Sequence, residues 1–152
     1  MDNSIAVYGA SMVAGAGFFL AALKHRGSSR YDSRRGISVA DGNGLASEII
    51  KKHPKYAIIS PGVDHLLAGV GFTAGLAGLL GIIQNVGHSG NNFMSPFYFA
   101  ATANVAKEAV AEFQSQLRRG GKIGWGDILQ YVADVVSSGL VVGVASKLPK
   151  IP

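Results

Sequence analysis

The stretch LLAGVGFTAGLAGLLGII, from Leu66 to Ile83, decides the fold class of this chain. It contains no charged residue, and its strongest polar group is the hydroxyl of Thr73. Eighteen helical residues extend about 27 Å, close to the thickness of the hydrocarbon layer of a bilayer. The stretch therefore predicts a membrane-spanning helix. The alternative is a buried helix of a soluble protein, in which each water-exposed glycine would cost about 1 kcal/mol.

Glycines within this stretch recur at helical spacing. Gly71, Gly75 and Gly78 are separated by four and then three residues, so a helix places them on one face. Small residues on one face allow a second helix to approach closely inside a membrane, where packing drives helix association. The spacing predicts a helix-packing surface at these three glycines.

A second apolar run, IAVYGASMVAGAGFFLAAL from Ile5 to Leu23, is also long enough to span a bilayer. A signal peptide is disfavoured because Asp2 precedes the run and the basic residues follow it. A dinucleotide-binding fingerprint is disfavoured because the glycine spacing is not G-x-G-x-x-G. The run predicts a second helix-packing surface on its small residues Ala10, Ala14 and Gly17.

Two more helices are predicted in the second half of the chain. Ser95 is a good N-cap with Pro96 at the first helical position, and Asp127 is the predicted N-cap of the last helix. The third helix is charged in its second half, so the prediction is an all-α bundle of three or four membrane spans in a single membrane-embedded domain. The predicted helices cover about residues 5–23, 62–84, 96–117 and 127–147 of the domain 1–152.

Residues 24–60 are predicted to form a basic loop, which begins KHRGSSRYDSRR and contains a short amphipathic helix from Leu45 to His53. Basic loops set the orientation of a membrane protein, and their arginines can also contact the phosphates of lipid or nucleic acid. The setting of orientation is the simpler role. The candidates for phosphate or anionic-surface contact are Arg26, Arg30, Arg34 and Arg35.

The distribution of positive charge tests the four predicted spans, because it was not used to choose them. Apart from Lys147 and Lys150, every lysine and arginine falls between the first and second spans, or in the charged second half of the third helix and the segment that follows it. Four spans place both segments on the same side, as the positive-inside rule requires. The N-terminus is then predicted to lie away from the basic-loop side.

Asp134 is the one acidic residue within an apolar helical pattern. A carboxylate at membrane depth is costly and usually faces a partner or an aqueous path. A helix places Gln130, Ser137 and Ser138 on roughly the same face, so this stripe could line an ion or proton path. Packing of the polar stripe against other helices is the simpler interpretation, and we favour it.

Composition excludes several chemistries. Charged residues make up only 15% of the chain, against about 25% in soluble domains, and the absence of cysteine rules out disulfides and thiolate metal sites. Asp64 and His65 stand together, but a metal site needs a third ligand whose position the sequence cannot give. No triad, phosphate-binding loop or paired-acid motif is present. We predict no catalytic residue, metal, cofactor or small-molecule substrate.

These observations predict a non-enzymatic integral membrane protein that serves as a structural or assembly subunit of a larger membrane-associated complex. The expected partners are membrane lipid, the protein itself or other membrane subunits, and nucleic acid or a capsid or shell protein at the basic loop. One setting is the internal membrane of a virus or phage particle, and a cellular inner membrane is the other. The alternative function is a small ion- or proton-conducting, holin-like pore that uses Asp134.

Overall fold

The computed structural model describes residues 3–87 and 92–148, and most of these residues are helical. The predicted all-α bundle with a short amphipathic helix in the first loop is confirmed. In chain order the elements are α1 Asn3–Arg26, β1 Arg30–Asp32, β2 Ile37–Val39, α2 Leu45–Lys52, α3 Tyr56–Val86, α4 Ser95–Arg118 and α5 Trp125–Ala145.

Helix α3, with 31 residues, is the centre of the bundle, and α1, α4 and α5 all pack against it. Helix α1 runs antiparallel to α3, since Gly15 lies against Gly75 and His25 reaches Asp64. The connection 27–55 and the connection 119–124 meet at one end, where Arg119 Nη1 donates a hydrogen bond of 3.2 Å to a carbonyl of the first connection. We call this end of the bundle the basic end.

Helix α3 begins six residues earlier than predicted, at Tyr56 rather than residue 62. Its start therefore includes Pro61, which lies within the helix. A proline in a helix removes the N–H that would bond the carbonyl four residues earlier. Pro61 is the sixth residue of α3, so the carbonyl that loses its helical partner is that of Ala57, within the first turns of the helix. The helix nevertheless continues through Pro61, so the residues 56–60 that precede the predicted start are helical.

Two predicted helix starts are displaced by one or two residues. Helix α5 begins at Trp125, so Asp127 is its third residue rather than its N-cap. From there the Asp127 carboxylate accepts a hydrogen bond of 2.8 Å from the backbone N–H of Gly124. Helix α4 begins at Ser95, one residue before the predicted start. In α5 the predicted polar residue thus lies in the first turn, where its carboxylate satisfies a free N–H group.

The basic connection contains an antiparallel hairpin that the sequence analysis did not predict. Arg30 pairs with Val39 across β1 and β2, and Gly36 adopts a φ of +67° at the turn. A Cβ atom on Gly36 would lie 3.3 Å from Cα of Gly124, so the hairpin rests directly on the start of α5. The loop predicted over residues 24–60 is therefore largely ordered structure.

Three helices in the described part of the chain are long and apolar enough to cross a membrane: Ser4–Arg26, Tyr56–Val86 and Trp125–Ala145. This is the pattern of an integral membrane protein. Helix α4 is not among them, because Lys107, Glu108 and Glu112 interrupt its second half. Three or four spans were predicted, and three helices are long and apolar enough to be spans.

The apolar core lies at the end of the bundle opposite the basic end. Tyr8 of α1 stacks on Phe93 and Phe97, with ring centroids 5.2 Å and 5.9 Å away. The Tyr8 hydroxyl donates a hydrogen bond of 2.8 Å to the carbonyl of Phe93. Ala77 and Ala145 are buried in the same core. We refer to Tyr8, Phe93 and Phe97 as the aromatic cluster.

Candidate functional site

The predicted glycines of α3 face α1. A Cβ atom on Gly71 would lie 2.7 Å from the backbone nitrogen of Phe19, and one on Gly78 would lie 2.6 Å from that of Met12. Gly75 differs, because a Cβ atom there would meet only Cα of Gly15, at 4.0 Å. The tight approach at this level depends on Gly15, which the sequence analysis did not select.

The small residues Ala10, Ala14 and Gly17 are exposed on the outer side of α1. They are therefore not buried against another helix of the same chain, and packing between copies stays a prediction. Helix α1 instead turns Gly15 and Ser11 toward α3, and the Ser11 hydroxyl donates a hydrogen bond of 2.8 Å to the carbonyl of Ala74. Gly15, which has no side chain, and Ser11, whose hydroxyl is hydrogen-bonded, together determine which face of α1 is buried against α3.

The four candidate arginines are all exposed, and they lie at the basic end. Arg30 is 3.5 Å from Asp41 and Arg35 is 3.6 Å from Asp32, both as exposed ion pairs. Exposed pairs of this kind contribute about 0–1 kcal/mol, so they do not prevent the arginines from exchanging partners. Arg26 borders a cavity in the bundle, and Arg34 lies on the hairpin turn. Phosphate contact remains a prediction.

Asp134 is the centre of a buried polar cluster built by three helices. Its carboxylate is 1% exposed, and Oδ2 lies 3.1 Å from Nδ1 of His65 on α3. Glu108 of α4 brings Oε2 to 3.5 Å from the same nitrogen. Lys107 lies at the rim, with Nζ 4.0 Å from Asp134 Oδ2. We call His65, Glu108 and Asp134 the polar cluster.

Polar neighbours bind the backbone around Asp134 but leave part of the site unsatisfied. Asn104 Nδ2 donates hydrogen bonds of 3.2 Å to the Asp134 carbonyl and 2.9 Å to the Ser138 hydroxyl. Oδ1 of Asp134 and Oδ1 of Asn104 are both buried without a hydrogen-bond partner among the described residues. A Cβ atom on Gly69 would lie 2.7 Å from Asp134 Oδ1, so this glycine makes room for the carboxylate.

A cavity of about 330 Å³ connects the polar cluster with the basic end. His65 and Glu108 line its inner part, and Arg26 and Tyr31 line it nearer the hairpin. Burial, followed by the neighbouring Asp134 carboxylate, raises the pKa of Glu108 to about 7. The cavity gives small ions and water a route to two members of the cluster.

Asp64 and His65 are adjacent in sequence but serve different sites. Asp64 Oδ1 lies 2.5 Å from Nδ1 of His25, whose Nε2 lies 2.5 Å from the Tyr56 hydroxyl. His65 instead faces Asp134. Asp64 therefore belongs to a link from α1 to α3, and His65 belongs to the polar cluster.

A second charged group holds the hairpin on the bundle. Arg119 Nη1 donates to the Asp127 carboxylate, and the Tyr31 hydroxyl donates to Asp127 Oδ1 at 2.7 Å. Burial, with the hydrogen bond to this carboxylate, raises the pKa of the Tyr31 phenol. The same carboxylate raises the pKa of Arg119. Both groups keep their protons at neutral pH and fix β1 and the end of α4 to the start of α5.

Comparison of the chain with protein-family models, with curated proteins and with solved structures gives no match. The site residues that sequence reasoning missed are Glu108 and Asn104, which a helix places on one face at a spacing of four. That face lies beside the apolar seam of α4, and its polar character was the available signal. The functional argument therefore rests on the geometry of the bundle.

Proposed function

We propose that the protein is a non-enzymatic integral membrane subunit that contributes structure and assembly to a larger membrane-associated complex. Backbone-to-backbone contact between α1 and α3 supports a rigid anchor. The outer faces of α1, α3 and α5 carry exposed apolar side chains, as contact with lipid or neighbouring membrane subunits requires. Exposed apolar side chains include Val13, Leu20, Ile83, Leu140 and Val144.

The observation that carries this proposal is the apolar packing of the bundle on the side of Asp134 that faces away from the basic end. Ala77, Ala100 and Ala145 are buried there together with the aromatic cluster. Thr73 is buried at this level, and its hydroxyl has no hydrogen-bond partner among the described residues. The polar interior thus reaches the basic end through the cavity and meets an apolar core in the other direction. A closed interior of this kind favours an anchor over an open pore.

The basic end suggests the setting. Between residues 24 and 55 the chain has eight basic and three acidic residues, and the candidate arginines among them are exposed. In the proposed arrangement this end faces nucleic acid or a capsid or shell protein, inside a virus or phage particle with an internal membrane. In a cellular inner membrane it faces anionic lipid headgroups. The start of α1 lies on the opposite side of that membrane.

Membrane retention and assembly test the proposal directly. The full chain should stay with membranes through a carbonate wash, and it should migrate in mild detergent as a defined assembly. Ala14→Leu, on the outer side of α1, should change that assembly while the helix content by circular dichroism persists. Val13→Leu, next to it and 72% exposed, is the matched control. Release by carbonate, or a monodisperse form without detergent, would contradict the proposal.

A second candidate function is an ion- or proton-conducting subunit, which the cavity and the buried Asp134 favour. Asp134→Asn keeps the size of the side chain but cannot ionise. If the protein conducts, the parent shows flux in liposomes and this variant assembles without that flux. If the protein is an anchor, neither protein shows flux under a gradient of protons, Na⁺ or K⁺, and both assemble.

A further inference from the structure

We propose that His65, Glu108 and Asp134 bind one divalent transition-metal ion inside the bundle, with Zn²⁺ as the best-suited probe. The site joins α3, α4 and α5, each of which supplies one ligand. This inference is independent of the proposed function, because a metal that links three helices is compatible with an anchor and with a conducting subunit.

The spacing of the ligand atoms fits a single ion. Nδ1 of His65 lies 3.1 Å from Asp134 Oδ2 and 3.5 Å from Glu108 Oε2. All three ligand atoms lie within 4.8 Å of one another. Ligands at about 2.0–2.1 Å from a tetrahedral Zn²⁺ are separated by about 3.3 Å. The two distances from His65 bracket this value, so small side-chain adjustments would complete the coordination.

The donor atoms select the class of metal. One imidazole nitrogen with two carboxylate oxygens suits Zn²⁺ and similar first-row ions, whereas Ca²⁺ and Mg²⁺ prefer oxygen ligands alone. Three protein ligands leave a fourth position for water, and the cavity lined by His65 and Glu108 lies beside the cluster. The ion therefore has both an entry path and a place for its remaining ligand.

The buried carboxylate of Asp134 is only partly compensated by its hydrogen-bond partners. Asp134 is 1% exposed, and while Oδ2 faces His65, Oδ1 has no hydrogen-bond partner among the described residues. Buried carboxylate oxygens are normally paired, since an unpaired one carries a desolvation cost. A metal ion on this carboxylate would compensate its buried charge more completely than His65 alone.

Lys107 is the competing cation. Its Nζ lies 4.0 Å from Asp134 Oδ2, but the side chain is 45% exposed and stands over the Phe72 ring at 5.3 Å from the centroid. An ammonium group on a flexible, partly exposed stem can move away when an ion enters. The other competing arrangement is a hydrogen bond from Nδ1–H of His65 that is shared by both carboxylates, and this arrangement needs no metal.

The pair of His25 and Asp64 provides an internal control. Like the polar cluster, it joins a histidine and a carboxylate in the bundle, at 2.5 Å. The second nitrogen of His25 faces the Tyr56 hydroxyl rather than another carboxylate. Because it has only two strong ligands, this pair should not hold an ion, and its removal should leave metal binding unchanged.

The experiment uses the full, tag-free chain in detergent after removal of metal with a chelator. Equilibrium dialysis with Zn²⁺ and the visible absorption of added Co²⁺ measure stoichiometry, affinity and coordination. We expect one ion per chain and a rise in the thermal unfolding midpoint with Zn²⁺. Asp134→Asn and Glu108→Gln should each weaken binding at least about tenfold and abolish the rise. Asp64→Asn and His53→Gln, the latter at an exposed histidine, should bind as the parent does.

Each outcome decides the proposal. If the parent binds no ion, or binds only as weakly as Asp134→Asn and Glu108→Gln, the cluster is an ion pair bridged by His65 and the proposal is wrong. If Asp134→Asn fails to fold, Glu108→Gln alone decides, because Glu108 lies beside the cavity. Carbonate washing and flux assays report on the proposed function separately, so failure of one proposal leaves the other to its own test.

Discussion

Gly15 of α1 and Gly75 of α3 bring their two helix backbones into direct contact. A Cβ atom on Gly15 would lie 2.6 Å from Cα of Gly75 and 2.7 Å from the carbonyl oxygen of Gly71. Backbone atoms of two helices cannot move apart without separating the helices themselves. The contact is therefore the most restrictive point in the packing of α1 on α3.

We expect Gly15→Ala to destabilise the bundle by about 1–3 kcal/mol, the usual cost of an added methyl group in a close-packed site. Gly17→Ala is the matched control, because a Cβ atom there has no neighbour within 4 Å. The control should be neutral or slightly stabilising, since alanine favours the helix. Thermal unfolding in detergent, followed by circular dichroism, measures both. Equal unfolding midpoints for the two variants would refute the close contact.

A second pair of variants tests the glycine face of α3 itself. Gly78→Ala should lower the unfolding midpoint, because its Cβ would lie 2.6 Å from the Met12 nitrogen. Gly75→Ala should be mild, because the nearest atom to its Cβ would be 4.0 Å away. The three predicted packing glycines are thus expected to differ in tolerance despite their shared spacing. If Gly75→Ala lowered the unfolding midpoint as much as Gly78→Ala does, α1 and α3 would have to pack differently from the arrangement described above.

The basic end should bind anionic surfaces. Replacing Arg30, Arg34 and Arg35 with glutamine should weaken binding to phosphatidylserine-containing vesicles by up to about 100-fold at low salt, at about 1 kcal/mol per arginine. The difference should shrink as salt rises, since screening weakens the parent first. Lys147→Gln, at the other end of α5, is the control and should change little. Unchanged vesicle binding in the triple variant would mean that these arginines only set the orientation of the protein in the membrane.

Stability should fall at high pH through Tyr31. Burial and the Asp127 carboxylate raise its pKa above the value of about 10 of a free tyrosine, so the unfolded chain loses this proton first. The stabilising contribution is therefore complete below about pH 10 and is lost as the pH rises toward the folded-state pKa. Tyr31→Phe, which has no ionisable proton, should unfold with a shallower pH dependence in the alkaline range. Parallel pH profiles for parent and variant would contradict the hydrogen bond to Asp127.

The sequence by itself determined which segments are suited to cross a membrane. Length and the absence of charge are local properties, so the run from Leu66 to Ile83 and that from Ile5 to Leu23 specify apolar helices whatever surrounds them. The charged second half of α4 likewise indicated that this helix is less suited to cross a membrane than the other three. Helix starts were displaced by up to six residues, at Tyr56 of α3, because this helix continues through Pro61 instead of starting after it.

Only the tertiary structure decided which face of each helix is buried and which residues contact Asp134. Gly15 and Ala14 are neighbours in α1, and each belongs to a row of small residues on a different face of the helix. The face with Gly15 contacts α3, and Ala14 is exposed. The partners of Asp134 come from positions 26 and 69 residues away in the chain, at Glu108 and His65. A spacing rule relates residues within one helix, whereas the polar cluster depends on the register of three helices. That register is fixed by packing, and no local pattern contains it.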